Sequence, residues 1–169
     1  MEVLSDTFSF GRFYDRPRPR RYRGAGNGAA VSEHPEDAIQ RGVFDYLLRV
    51  GILDEPLIHP LIFHPPNGMH LAGSDLQRAK QANRMKSLGM VPGVVDIICL
   101  IPRNGHPFAA WECKAPGRRN ELNGGLSDSQ MEFMAAAESV GAYTGRIDDV
   151  DEGCRDICQY LGIEYRIWQ

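Results

Sequence analysis

The sequence contains no apolar run approaching the length of a membrane span, so a helical membrane protein is not expected. Its start, Met1 to Gly11, mixes Glu, Asp, Ser and Phe and has neither the basic beginning nor the apolar block of a secretory leader. Cysteine is sparse. Cys99, Cys113, Cys154 and Cys158 form no pair with zinc-knuckle spacing, and the last two stand four apart on a predicted helix. Reduced, mostly buried thiols in a cytoplasmic protein fit that usage better than a disulfide framework. No internal repeat is present, and 169 residues suit one domain with a proper core. Net charge is also small, at −3, which at first argues against a nucleic-acid partner.

The distribution of charge argues the other way. Residues 1–31 carry six arginines against Glu2, Asp6 and Asp15, a surplus of three positive charges, which leaves the remainder at −6. The stretch from Arg16 to Gly28 is too rich in Pro and Gly for a helix or a central strand and reads as a flexible Arg-rich arm. Such an arm supplies counterion release whatever nucleic-acid sequence is bound, or else solubilises the chain or packs on a second subunit. Residues 32–169 read as the folded domain.

Within that domain Pro35 fits a first helical position, with Ser32 or Asp37 serving the N-terminal turn. Ala38, Ile39, Val43, Phe44, Leu47, Leu48 and Val50 then recur at helical spacing until Gly51. Glu36 in that first turn complements the helix dipole on an ordinary reading. Leu57 to Phe63 predicts an edge strand or bulge, because Pro60 interrupts it. His59, His64 and His70 have spacings that match no zinc motif and read as loop histidines. Asp75 to Leu88 is helical in composition, with Arg78, Lys80, Arg84 and Lys86 giving it a basic side, either a phosphate track or a solvated face.

The centre of the chain is the stretch from Gly93 to Lys114. Two apolar runs flank Asn104-Gly105, a strong hairpin signal. Folding the strands antiparallel sets Asp96 level with Glu112, to within a residue of register, and alternation puts Glu112 and Lys114 on one face with Cys113 on the other. Two carboxylates so placed repel unless a cation sits between them, and a lysine beside that cation stands where a phosphate would be. The same triplet also fits an ordinary solvated edge with a surface ion pair. After the hairpin come a polar loop from Ala115 to Gly125, a helix from Asp128 to about Val140 capped by Ser127, a strand from Ala142 to Arg146 and a helix from Asp149 to Leu161. Ile163 to Trp168 adds a possible terminal strand.

Several ordered motifs carry a resemblance: Glu36-Asp-Ala-Ile-Gln40, Pro66-Asn-Gly68, Pro92-Gly-Val-Val-Asp96, Trp111-Glu-Cys-Lys114, Leu126-Ser-Asp-Ser-Gln130 and Val140-Gly-Ala142. Over about residues 33–150 the chain resembles the VRR-NUC family of the PD-(D/E)XK nuclease superfamily. The resemblance implies an α/β (α+β) restriction-endonuclease-like core, a central mixed sheet flanked by helices. It also implies a divalent-metal endonuclease using Mg²⁺ or Mn²⁺, with no small-molecule cofactor. By the family pattern Asp96, Glu112 and the main-chain carbonyl of Cys113 bind the metal, and Lys114 positions or activates water and offsets charge on the phosphate. Glu36 joins as a possible ligand of a second ion, and Gln130 supports the site. Asp96 and Lys114 are expected outside the core.

DNA contacts are expected from Arg18, Arg20, Arg21 and Arg23 in the arm, Asn67 in the loop, Arg78 and Arg84 on the basic helix, and Arg118 and Arg119 after the hairpin. Stand-alone members of this size resemble phage and bacterial proteins, some of them homodimers acting on branched DNA in repair or recombination. A junction-resolving homodimer in a bacterial or host cytoplasm is therefore the expectation. A flap- or single-strand-directed nuclease, a general DNA nuclease and a non-cutting DNA-binding module with the same fold are its alternatives.

Overall fold

The computed structural model describes residues 34–53, 59–66 and 74–167. The arm, Ser32, Asn67, His70 and Trp168 lie outside the described residues, so the readings placed on them are not addressed by the fold.

Helix α1 spans Pro35–Arg49, with Pro35 at its first position and Glu36 and Asp37 in the first turn, where acids complement the dipole. Ile39, Val43, Tyr46 and Leu47 recur at helical spacing and are buried. Strand β1 is short, Ile62–Phe63, because Pro60 lies in a 3-10 turn over His59–Leu61 just before it. Helix α2, Asp75–Ser87, buries none of its residues. Strands β2 (Ile97–Cys99) and β3 (Ala109–Cys113) form the predicted hairpin. Asn104 and Gly105 both have positive φ, 52° and 82°, as a two-residue turn of that hand requires.

Helix α3 (Asp128–Ser139) crosses over to β4 (Tyr143–Ile147), which pairs parallel to β3, and α4 (Val150–Leu161) follows. The sheet order is β1-β2-β3-β4, antiparallel across the first two pairs and parallel in the last, a mixed sheet flanked by helices. Alternation along β3 divides the interior. Ala109, Trp111 and Cys113 face α1 and α4, in a cluster with Val43, Leu47, Ile147, Ile157 and Leu161. Ala110 faces the other way, toward Val95 and Met134 of α3. Full burial of a side chain such as Leu47 or Ile157 contributes about 1.5 to 3 kcal/mol.

The expected terminal strand does not form between residues 163 and 167. Instead Gly162 caps α4 in the left-handed conformation, and the Ile163 N–H turns back to the Cys158 carbonyl at 2.9 Å. The chain end then lies along α1, with Tyr165 stacked on Tyr46 at 5.4 Å and the Arg166 N–H donating to the Tyr46 hydroxyl at 3.1 Å. All four cysteines are buried and unpaired. Among the described residues no helix is long and apolar enough to cross a membrane.

Candidate active site

The hairpin register builds the site. Ile97 pairs with Trp111 and Ile98 with Ala110, so one further step along the ladder sets Asp96 opposite Glu112 on the α3 face. The side chain of Asp96 closes this end of the ladder, its Oδ2 accepting the Cys113 N–H at 2.9 Å. Two residues beyond Glu112 on the same face, Lys114 donates from Nζ to Glu112 Oε1 at 2.9 Å and to Gln130 Oε1 at 3.1 Å. Gln130 Nε2 donates back to Glu112 Oε1, which closes a three-membered network.

Gln130 reaches this network through helix capping. Ser127 is the N-cap of α3, its hydroxyl accepting the Gln130 N–H at 3.3 Å while the Gln130 side chain accepts the Ser127 N–H at 2.9 Å. The first turn of α3 is pressed against the loop that leads into Asp96. A Cβ on Gly93 would collide with the backbone of Ser129 and Gln130, and the φ of +77° at Gly93 suits glycine alone.

Contrary to the sequence expectation, Lys114 is buried, its side chain 7% exposed, while Asp96 stays partly exposed as expected; the Glu112 side chain is buried too, at 3%. The reason is that Gln130 and the first turn of α3 close over the end of β3. Burial and the neighbouring Asp96 charge push the Glu112 carboxyl up to about 7, although Lys114 opposes the shift. Burial also raises Asp96, against the Cys113 N–H, the His64 and Lys114 charges and in the same direction as Glu36. Glu112 Oε2 is buried with no hydrogen-bond partner. A buried, unpartnered carboxylate oxygen beside a second carboxylate is what a hard cation with oxygen ligands would satisfy, so the residues present fit such an ion.

A cleft of about 280 Å³ opens onto Asp96, Glu112 and Gln130, and Glu36, Asp37 and Gln40 of α1 form part of its wall. Glu36 thus faces the site, but its Oε1 lies 3.5 Å from Arg118 Nη1 at the rim. Among the described residues, no group of three or more His, Cys, Asp or Glu stands close enough to hold a metal, and Glu36 acts on Asp96 and Glu112 through its charge, which raises both.

The basic residues are distributed differently. Arg118 pairs with Glu121 at 2.9 Å as well as with Glu36. Arg119 binds Asp148 at 3.1 Å, Glu152 at 2.9 Å and the Arg146 carbonyl at 3.0 Å, tying the 118–125 loop to the start of α4. Arg78 pairs with Asp75 in its own helix, and Arg84 is exposed on α2. His64, read from its spacing as an ordinary loop residue, places Nδ1 2.8 Å from the Asp96 main-chain carbonyl. Nothing in the spacing of the histidines signals this, because β1 brings His64 there by pairing with β2.

No family model matches the sequence. No curated protein matches it either. Among solved structures, the chain is similar to a protein described as a VRR_NUC domain protein, with a TM-score of 0.57 and 19% identity over 79% of this chain and 93% of that one. The fold of this chain is that of a VRR-NUC domain, the restriction-endonuclease-like arrangement that the ordered motifs led us to expect.

Proposed function

We propose that the protein is a divalent-metal-dependent nuclease that hydrolyses DNA phosphodiester bonds, acting on branched DNA as a homodimer. One observation carries the metal-dependent part of this reading. Asp96 and Glu112 stand level on adjacent strands, and the buried Oε2 of Glu112 has no partner while its Oε1 is held by Lys114 and Gln130. Asp96 and Glu112, with the Cys113 carbonyl, would hold Mg²⁺ or Mn²⁺, and Glu36 stands at the rim as a possible further ligand. The ion, when bound, supplies a water of lowered pKa and positive charge for the phosphate oxygens.

The chain's own groups divide the remaining work. The Cys113 N–H fixes one oxygen of Asp96, a residue that lines the cleft. Gln130 fixes the carboxylate plane of Glu112 and positions Lys114 at the same time. Lys114 adds a cation on the same face, aimed at charge that develops on the phosphate during attack. The strand pair holds all of these in one geometry before the substrate arrives, which lowers the entropic part of the barrier.

The test is a cleavage panel with Mg²⁺ or Mn²⁺ against duplex, single-stranded, flap and four-way-junction DNA. Asp96→Asn is expected to lower turnover at least about 100-fold with DNA binding retained. Undiminished cutting by Asp96→Asn, or no cutting of any form, would remove the reading.

A further inference from the structure

Beside the catalytic cleft a larger one, of about 740 Å³, opens between α3, β4 and the 118–125 loop. The two share a wall. Leu126 and Met131 line the larger cleft, while their chain neighbours Ser127 and Gln130 line the smaller. Register links them as well, because Glu112 on β3 pairs with Arg146 on β4, and both side chains leave the same face of the sheet one strand apart.

The lining is of two kinds. Met131, Met134 and Ala135 of α3 give an apolar, partly thioether surface, and the Thr144 hydroxyl donates to the Glu138 carboxylate at a separate polar point. Arg146 supplies the positive charge. Its Nη1 donates to the Asn123 carbonyl at 3.2 Å, and among the described residues no carboxylate lies within ion-pair distance of it. Arg118, Arg119 and Arg155, by contrast, each have an acidic partner. Gly124 lies so close to the guanidinium that a Cβ there would overlap it, so the absence of a side chain at Gly124 leaves room for Arg146 in this position.

We propose that this cleft binds the nucleoside adjoining the scissile phosphate, turned out of its stack, with Arg146 on that nucleoside's phosphate. The inference rests on the nuclease reading above and names its substrate class. The volume lies within the range of small-ligand sites. A thioether and methyl surface offers polarisable contact to the face of any base, with little sequence preference. The Glu138–Thr144 pair offers an acceptor and a hydroxyl to a base edge. A guanidinium held from behind by a carbonyl keeps its remaining N–H groups for a phosphate. A base stacked and paired in a continuous duplex cannot enter such a cleft without being extruded. The substrates favoured are therefore those with an unpaired nucleotide at the cut, at a flap or an opened junction.

The test begins by mapping the cut on a flap substrate with the wild-type protein. An abasic nucleotide is then placed at each position around the cut, and binding of Asp96→Asn to the labelled DNA is followed by fluorescence anisotropy. Loss of the base at one position beside the cut should weaken binding about 10-fold, with little effect elsewhere. Ala135→Trp, at an exposed position on the cleft wall, should erase that difference, so that intact and abasic strands bind alike. Arg146→Gln keeps a donor for Asn123 and should weaken binding to every substrate, with a salt dependence shallower by about one phosphate contact.

No positional abasic effect in a protein that does cut overturns the subsite alone. An abasic effect that persists in folded Ala135→Trp, or an unchanged salt dependence in Arg146→Gln, overturns it as well. A wild-type protein that cuts no DNA, whether or not it binds it, overturns both the nuclease reading and this one.

Discussion

At the scale of residues, the site is defined by a carboxylate held in an uncomfortable place. The folded pKa of Glu112, about 7, lies above its ordinary value near 4.5, so folding favours the protonated group. Its stabilising contribution is therefore full below the ordinary value and is lost as pH rises through about 7, a difference of up to about 3 kcal/mol. In chelator, the stability gap between Glu112→Gln and wild type should grow in favour of the variant from pH 5 to pH 8. Added Mg²⁺ should stabilise the wild type most at the alkaline end. Thermal midpoints across that range check both, and parallel curves would count against the assignment of the strain to Glu112. Lys114→Ala removes the cation that opposes the rise of the Glu112 pKa, so the buried carboxyl should take up a proton and the cost of the substitution should grow with pH, measurable by urea denaturation at pH 6 and pH 9. That cost was not legible in the sequence. Alternation shows that Glu112 and Lys114 share a face, but not that Gln130 and α3 close over it.

At the scale of elements, the hairpin was the most legible part, since Asn104-Gly105 sets both the turn and the register that levels Asp96 with Glu112. The helices α1, α3 and α4 follow their apolar spacing, and α3 and α4 their side-chain caps at Ser127 and Asp149, whereas α1 starts at His34 without a side-chain cap. What local pattern could not show was the end of the chain, where Ile163 to Ile167 has strand-like composition but Tyr46 and Gly162 direct it along α1. Nor could pattern reveal the close approach at Gly93, which depends on two segments distant in sequence. Gly93→Ala should push the first turn of α3 away from the Asp96 loop, lowering both stability and turnover. Gly89→Ala, also at positive φ but with open space around it, should keep its activity. Equal activity losses in the two variants would show that backbone strain, and not the contact with α3, is responsible.

At the scale of the whole molecule, the body is acidic and the first 31 residues are basic, so on the function proposed above the arm would supply affinity for DNA and the body the chemistry. Deleting residues 1–31 should weaken DNA binding and flatten its salt dependence, while turnover at saturating DNA stays near wild type. Anisotropy titrations at several salt concentrations and single-turnover kinetics separate the two effects, and an unchanged salt slope would exclude the arm from the interface. Paired cuts across a junction require two sites, and hence a two-fold dimer with both sites on one DNA. Light scattering with and without junction DNA measures this directly, and a persistent monomer would favour single cuts at flaps.

The side chain of Gln130 serves two masters, since the amide that closes the first turn of α3 also holds Glu112 and Lys114 in place. Fraying of a single helical turn would therefore take apart this network, and with it the proposed catalytic geometry, without any global unfolding. On the nuclease reading, the fraction of molecules competent to cut would be bounded by the fraction in which that turn is closed. Amide exchange at the start of α3 thus becomes a substrate-free gauge of the assembled site, and stabilising this helix start should narrow the distribution of turnover rates among individual molecules.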